Sequence, residues 1–400
     1  MEKLESTTVV RPQGFRVGSA FAGLKEREDQ PDTAVLLAEQ GAVGAGVFTT
    51  NRFAAAPVRW SREHLPAHDV RGVAVNSGNA NACTGPEGRE HARRMAKAVA
   101  EKSGCSAEQV AVCSTGIIGR PLPIADIESA LGEACNGASD SRAAGERVSE
   151  AILTTDRGPK TSGARAVVDG ESFTVCGMAK GAGMVAPHLA TMLCFITTDA
   201  KVPPEILQDM LGQGVQNSFN AITIDGDTST NDSVLALASG ASGVNVEAGA
   251  ETRKRFGRAL RSVMQDLALQ VVQGGEGASK LLRVRVTGAR TRDGARAAAR
   301  AVAESLLLKC ALHGEDPNWG RIICALGYSA AWFEPDEVTV SIGATTVFEE
   351  GRPTGARASS ELQGSEATLY IDLGAGQEKA TMWTCDLSKK YVEINTGYGH

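Results

Sequence analysis

Apolar residues recur at two spacings along this 400-residue chain, and the alternation between them sets the expected fold. Spacing near 3.6 predicts helices over residues 87–102, 124–134, 143–154, 204–218 and 252–273, and a long Ala-rich one over 292–311. Strand-like runs fall at 72–76, 110–114, 173–176 and 191–198, then at 281–286, 337–342, 367–373 and 380–385. Strands and helices are interleaved, yet the strands alternate apolar with polar positions instead of staying apolar throughout. That favours layered sheets with helices outside over a single parallel sheet. A glycine-rich loop at 275–280 separates a helix from the strand at 281 and marks the expected domain junction. A second break, a covalent one, is expected at Thr191. No internal repeat or low-complexity tract stands out.

Composition narrows the class. A hydrophobic share of 42% beside 22% charged residues is that of a globular protein large enough for two or three domains. The net charge of −6 leaves no electrostatic footprint for nucleic acid. Nine cysteines, an odd number with no CxxC pair, are the usage of a reducing compartment rather than a disulfide framework. The first residues lack an apolar signal core, and no apolar run approaches the roughly 18 residues of a membrane span. The expectation is a cytoplasmic protein with no membrane partner.

Residues 180–194 carry the chemistry. A loop punctuated by Gly181, Gly183 and Pro187 runs into Thr191, which opens the apolar run Met192-Leu193-Cys194-Phe195-Ile196. Thr191 can simply begin a strand while the glycines make the turn. The sharper reading is that its hydroxyl attacks the carbonyl of Ala190 through a five-membered ring, shifting the acyl group from nitrogen to oxygen. Water then cleaves the ester, leaving a new N-terminal Thr191 that carries nucleophile and base on one residue. An α-amino group titrates near ~7.7–8.0, about two to three units below a lysine, so it can take the hydroxyl proton at cellular pH.

Other runs admit two readings each. Asn76 to Gly85 follows a strand and precedes a helix: its amides and hydroxyls line a cavity, or they form the turn that Asn and Gly favour. Ser114 to Gly119 ends a strand, where the Thr115 hydroxyl and the Gly116 amide make either an oxyanion hole or a plain turn. The stretch from Asn220 to Asp232 is dense in carboxylates and hydroxyls but lacks calcium-loop spacing, so a polar network is the better reading. Residues 274–280 lack the Gly-Lys-Ser/Thr order of a phosphate loop, leaving Glu276 as a carboxylate for a substrate ammonium. Asp316 and Pro317 read as a cap and first position of a helix. The basic face Arg253, Lys254, Arg255, Arg258 and Arg261 reads as solvated, with a coenzyme phosphate contact as the minor option. The six histidines show no paired-ligand spacing, so no metal is expected.

Taken in order, Asn76–Gly85, Ser114–Gly119, Thr154-Thr155-Asp156, Lys180–Thr191, Asn220–Asp232, Glu276–Lys280 and Asp316–Arg321 resemble the ornithine acetyltransferase family, the self-cleaving bifunctional glutamate N-acetyltransferases of arginine biosynthesis. The resemblance runs from about Gly14 to the C-terminus, and the Ala-Thr-Met-Leu junction at 190–193 and Asp-Pro-Asn-Trp-Gly-Arg at 316–321 are its most specific parts. It implies an αββα sandwich domain over 1–280 and a smaller α/β domain over 281–400 completing the active site. It further implies cleavage between Ala190 and Thr191 into an α chain 1–190 and a β chain 191–400, assembled as α2β2. Thr191 would be the nucleophile, with Thr115 and Gly116 as the oxyanion hole. Thr154, Lys180, Thr191, Glu276, Asn395 and His400 would hold substrate. The implied reaction moves an acetyl group from N-acetyl-L-ornithine to L-glutamate with no bound cofactor, and acetyl-CoA is a second donor if the protein is bifunctional.

Three departures stand against the family pattern. Gly275 replaces the usual Asp before Gly-Glu-Gly's glutamate, Ser279 replaces a common Thr, and His400 stands where a substrate-contacting hydroxyl is usual. A self-processing aminopeptidase or amidase of similar architecture remains the alternative, and a non-catalytic scaffold a further one.

Overall fold

The computed structural model describes residues 1–25, 30–186 and 192–397. The expected cleavage pair Ala190 and Thr191 and the departure at His400 lie outside the described residues. The chain divides into two compact units, residues 1–220 with 228–271, and residues 221–227 with 272–400.

The first unit contains β1 (Glu2–Lys3), β2 (Phe15–Ala20), β3 (Thr33–Phe48), α1 (Ala56–His64), β4 (Ala67–Asn79), α2 (Gly85–Ser103), β5 (Val110–Ile117), α3 (Ile124–Asn136) and α4 (Arg142–Ala151). It continues through β6 (Lys160–Val168), β7 (Glu171–Lys180), β8 (Leu193–Thr198), α5 (Pro204–Gln216), β9 (Ser233–Ala238) and nearly all of α6 (Ala250–Gln273). Its sheet runs β1-β6-β7-β8-β9-β3-β4-β5, with β2 paired to β3. The long β3 serves both halves: its first part pairs with β2 and β4, its last part with β9, and irregularities between Leu37 and Gly44 separate the two. Such bulges bend a strand and raise its twist.

Between the halves, Leu36, Val73, Val75 and Cys113 share one apolar core with Met178, Phe195, Leu235 and Leu237. Outside, Val35, Ala74 and Val112 pack with Met95 and Val99 of α2 and Ile127 and Leu131 of α3. On the far side Phe173 meets Phe256 of α6 at a ring separation of 5.8 Å, and Gly177 leaves room for Val263 and Leu267. This is the helix–sheet–sheet–helix layering that interleaved elements predicted. β5, β8 and β9 are buried on almost their whole length because helices cover the outer faces.

The second unit contains β10 (Leu281–Ala289), α7 (Arg292–Glu304), α8 (Leu306–His313), α9 (Trp319–Gly327), β11 (Thr339–Ile342), β12 (Thr345–Glu349), β13 (Arg352–Pro353), β14 (Glu366–Asp372), β15 (Glu378–Cys385) and α10 (Lys389–Thr396). Its strand order is β13-β12-β11-β14-β10-β15, with Val284, Val286, Leu369 and Ile371 packed against Ala298, Val302, Ile322 and Leu326. Two expectations are corrected here. The predicted helix 292–311 is two helices, because Ser305 leaves helical geometry at ψ 109 and its hydroxyl caps α8 by accepting from Leu308. The helix expected to start at Pro317 begins at Trp319, with Asp316 instead accepting from the Asn318 side chain.

Candidate active site

β4 and β5 run parallel and end side by side in small polar residues. Gly116 has a φ of +132°, and a Cβ there would run into the backbone of Gly78 and Asn79. Only glycine permits that approach. Ser114 donates to Asn76 Oδ1 at 2.5 Å, and the Asn231 amide donates to the carbonyls of Ala80 (2.6 Å) and Ser114 (2.8 Å). Asn76 and Asn231 therefore brace the strand ends, which keeps Thr115 buried at a defined place. Farther along the same run, Asn81, Cys83, Thr84 and Gly85 line a cavity of about 270 Å³ with Phe53, Arg59 and Arg89.

Two further sequence-predicted residues meet beside Thr115. Lys180, at the end of β7, donates from Nζ to Thr154 Oγ1 at 2.7 Å and to Thr115 Oγ1 at 3.2 Å. An ammonium group only donates, so Thr115 accepts and its own O–H is directed elsewhere. Behind them sits Asp156, whose side chain is fully buried. Its Oδ1 accepts from Lys160 Nζ at 2.5 Å and from the Gly181 N–H at 2.7 Å. Its Oδ2 accepts from the Thr154 N–H at 3.2 Å and lies 3.8 Å from Lys180 Nζ. Burial alone would push this carboxyl up, but the charges of Lys180 and Lys160 with the Lys160 and Gly181 hydrogen bonds outweigh it and bring the pKa down to about 2.

Asp232 has the opposite environment. It is wholly buried, Oδ1 accepts from the Met192 N–H at 2.9 Å, and Oδ2 has no hydrogen-bond partner among the described residues. Burial drives its pKa well above the usual carboxylate range, despite the Met192 N–H and the charge of Lys180. The stretch around it is the polar network expected for 220–232. Among the described residues no group of His, Cys, Asp and Glu is arranged to hold a metal ion.

The second unit brings Glu276 and Asn395 together: Asn395 Nδ2 donates to Glu276 Oε2 at 2.8 Å and to the Tyr391 carbonyl at 3.0 Å. Tyr391 in turn donates to Asp225 at 3.3 Å. Burial and the Asp225 carboxylate push its phenol pKa far up. The loop carrying Glu276 is held by Asp386, which accepts from the N–H groups of Ser279 (2.7 Å) and Lys280 (2.8 Å) and from the Ser279 hydroxyl (2.6 Å). His313 Nδ1 lies 2.7 Å from the same carboxylate. Lys280 is anchored on Glu315 and on the carbonyls of Leu362 and Gly364. The basic face of α6 is exposed, as a solvated surface would be.

A sequence model of the ArgJ family matches residues 16–400. The chain belongs to the ArgJ family. It is 43% identical over 395 residues to the arginine biosynthesis bifunctional protein ArgJ of Symbiobacterium thermophilum, with 98% of each chain covered. The protein of that name from Streptomyces avermitilis is 44% identical over 392 residues, covering 98% of this chain and 99% of its own. Among solved structures, an ornithine acetyltransferase complexed with ornithine from Mycobacterium tuberculosis is 37% identical, with a TM-score of 0.44, and covers 46% of this chain and 97% of its own. The resemblance drawn from the ordered motifs is thus borne out at the level of the ArgJ family. The sequence reading of this ArgJ-family chain missed Lys160 and Asp386, and gave Asp232 only as the end of a polar run. Each is an ordinary surface residue type, and nothing but burial and partners marks them out.

Proposed function

We propose that this protein is an acetyltransferase of arginine biosynthesis that moves the acetyl group of N-acetyl-L-ornithine to L-glutamate. The observation that carries the reading is the meeting of Thr115, Thr154 and Lys180 in a chain that belongs to the ArgJ family over nearly its whole length. In this reading the precursor severs itself between Ala190 and Thr191. The mature Thr191 then attacks the acetyl carbonyl, its own amine taking the hydroxyl proton. The Thr115 hydroxyl and the Gly116 N–H stabilise the oxyanion, for which the Lys180 bond to Thr115 supplies orientation. Ornithine departs with its amine reprotonated, leaving an acetyl ester on Thr191. The glutamate amine takes that acetyl group and restores the hydroxyl. Lys180, with Thr154, suits an α-carboxylate, and Glu276, with Asn395, suits an ammonium group. Donor and acceptor are both α-amino acids, so Lys180 and Thr154 can serve the carboxylate of each in turn.

In this reading no bound cofactor or metal enters the acyl transfer, and acetyl-CoA is a second donor if the protein is bifunctional, the word carried in the names of its relatives. The cysteine usage supports action in the cytoplasm, and we expect the two cleaved chains to assemble as α2β2. Two measurements test the reading. Intact mass spectrometry should find two fragments divided before residue 191 in the wild type and one full-length species for Thr191→Ala. Release of ornithine from N-acetylornithine should require glutamate. Release at the same rate without glutamate, or full turnover by an unbroken chain, would overturn it.

A further inference from the structure

Lys160 has no place in the chemistry above, yet it is buried, with its side chain 4% exposed, and it takes the shortest contact in the cluster. Two ammonium groups approach the one carboxylate of Asp156, at 2.5 Å from Lys160 and 3.8 Å from Lys180. The same carboxylate ties down the backbone on both sides of the site through the N–H groups of Thr154 and Gly181. Asp156 therefore cannot move away from Lys180 without breaking those bonds. What decides whether Lys180 closes on it is the cation already there.

We propose that Lys160 is a positioning residue for Lys180: by occupying Asp156 it leaves Lys180 seated on the hydroxyls of Thr115 and Thr154. This rests on the proposed acetyl transfer for its kinetic readout, but not for its geometric one. With Lys160 removed, attraction in the buried site draws Lys180 Nζ toward Asp156. Of its contacts to the Thr115 and Thr154 hydroxyls, the 3.2 Å one to Thr115 is the longer and yields before the 2.7 Å one to Thr154. Thr115 then loses the donor that turns its O–H outward. The defect is one of the acyl-transfer step, so it falls on kcat more than on KM.

The test is a charge-compensation cycle in the full-length enzyme, assayed for acetyl transfer from N-acetylornithine to glutamate. Lys160→Met should lower kcat by about tenfold to a hundredfold, the scale of a misplaced catalytic group. Lys160→Arg, which keeps the cation, should restore most of that loss. Asp156→Asn added to Lys160→Met should raise kcat above the Lys160→Met value, because a neutral amide no longer pulls on Lys180. A double variant no faster than Lys160→Met, or an equal loss for Met and Arg, overturns the proposal. A crystal structure of Lys160→Met gives the second readout: Lys180 moves to within hydrogen-bond distance of Asp156 and away from Thr115. Unchanged Lys180 contacts overturn the inference even if the variant is slow. A wild type that transfers no acetyl group, with Lys180 shifted in the variant, counts against the proposed function and leaves the positioning role supported.

Discussion

Two buried carboxyls in the first unit are driven in opposite directions by their surroundings. Asp156 gains two ammonium neighbours and backbone donors, and ionises down to about 2; Asp232 is wholly buried, with one oxygen unpartnered among the described residues, and its pKa rises well above 3.8. Their effects on stability have opposite signs. The depressed carboxyl of Asp156 stabilises the fold above its ordinary 3.8, and that contribution is lost as pH falls toward about 2. The raised carboxyl of Asp232 contributes fully below about 3.8, and that part is lost as pH rises through its folded value. Asp232→Asn keeps an acceptor for the Met192 N–H without the ionisation, so its stability relative to wild type should increase as pH is raised from 4 to 8. Asp232→Ala leaves that buried N–H unpaired and should cost about 1–3 kcal/mol. Urea unfolding at several pH values measures both. Neither behaviour was readable in the sequence: Thr-Thr-Asp and Asn-Asp-Ser name the side chains but not their burial or partners.

At the scale of the element, strand ends and helix breaks do most to place the site. The parallel ends of β4 and β5 meet at Gly78 and Gly116, where a methyl group has no room and φ lies in the left-handed region. Gly116→Ala should therefore destabilise the protein by about 1–3 kcal/mol and abolish most of the acetyl transfer. Thermal unfolding and a turnover assay check the two halves of that prediction separately. In the second unit Ser305 ends α7 and caps α8 with its side chain. Ser305→Ala should cost about 1 kcal/mol with turnover unaffected, since only a cap is lost. The hydrophobic spacing over 292–311 continued across this break, so periodicity alone merged two helices. What separated them is a single hydroxyl and one ψ angle, which periodicity does not register.

At the scale of the molecule, each unit has its own core and its own depressed carboxylate, Asp156 in the first and Asp386 in the second. Burial opposes ionisation of Asp386, and the Ser279 hydroxyl, the Ser279 and Lys280 N–H groups and His313 outweigh it. Acid should thus weaken both units as pH falls below 4. For Asp156 the fall from 3.8 to about 2 corresponds to about 2 kcal/mol, so in an Asp232→Asn background, which removes the opposing carboxyl, circular dichroism in urea at pH 2 should show about that loss relative to pH 5. Among the described residues no helix is long and apolar enough to cross a membrane. The sequence by itself determined the interleaved elements, the layering they require and the motifs that mark the family, because periodicity and turn chemistry are local properties. The tertiary structure decided which polar residues act together: Lys160 with Asp156 and Lys180, Met192 with Asp232, and Asp386 with the loop of Glu276. Those pairings join residues of ordinary type across the fold, and their consequences come from water being excluded around them, a property no stretch of sequence contains.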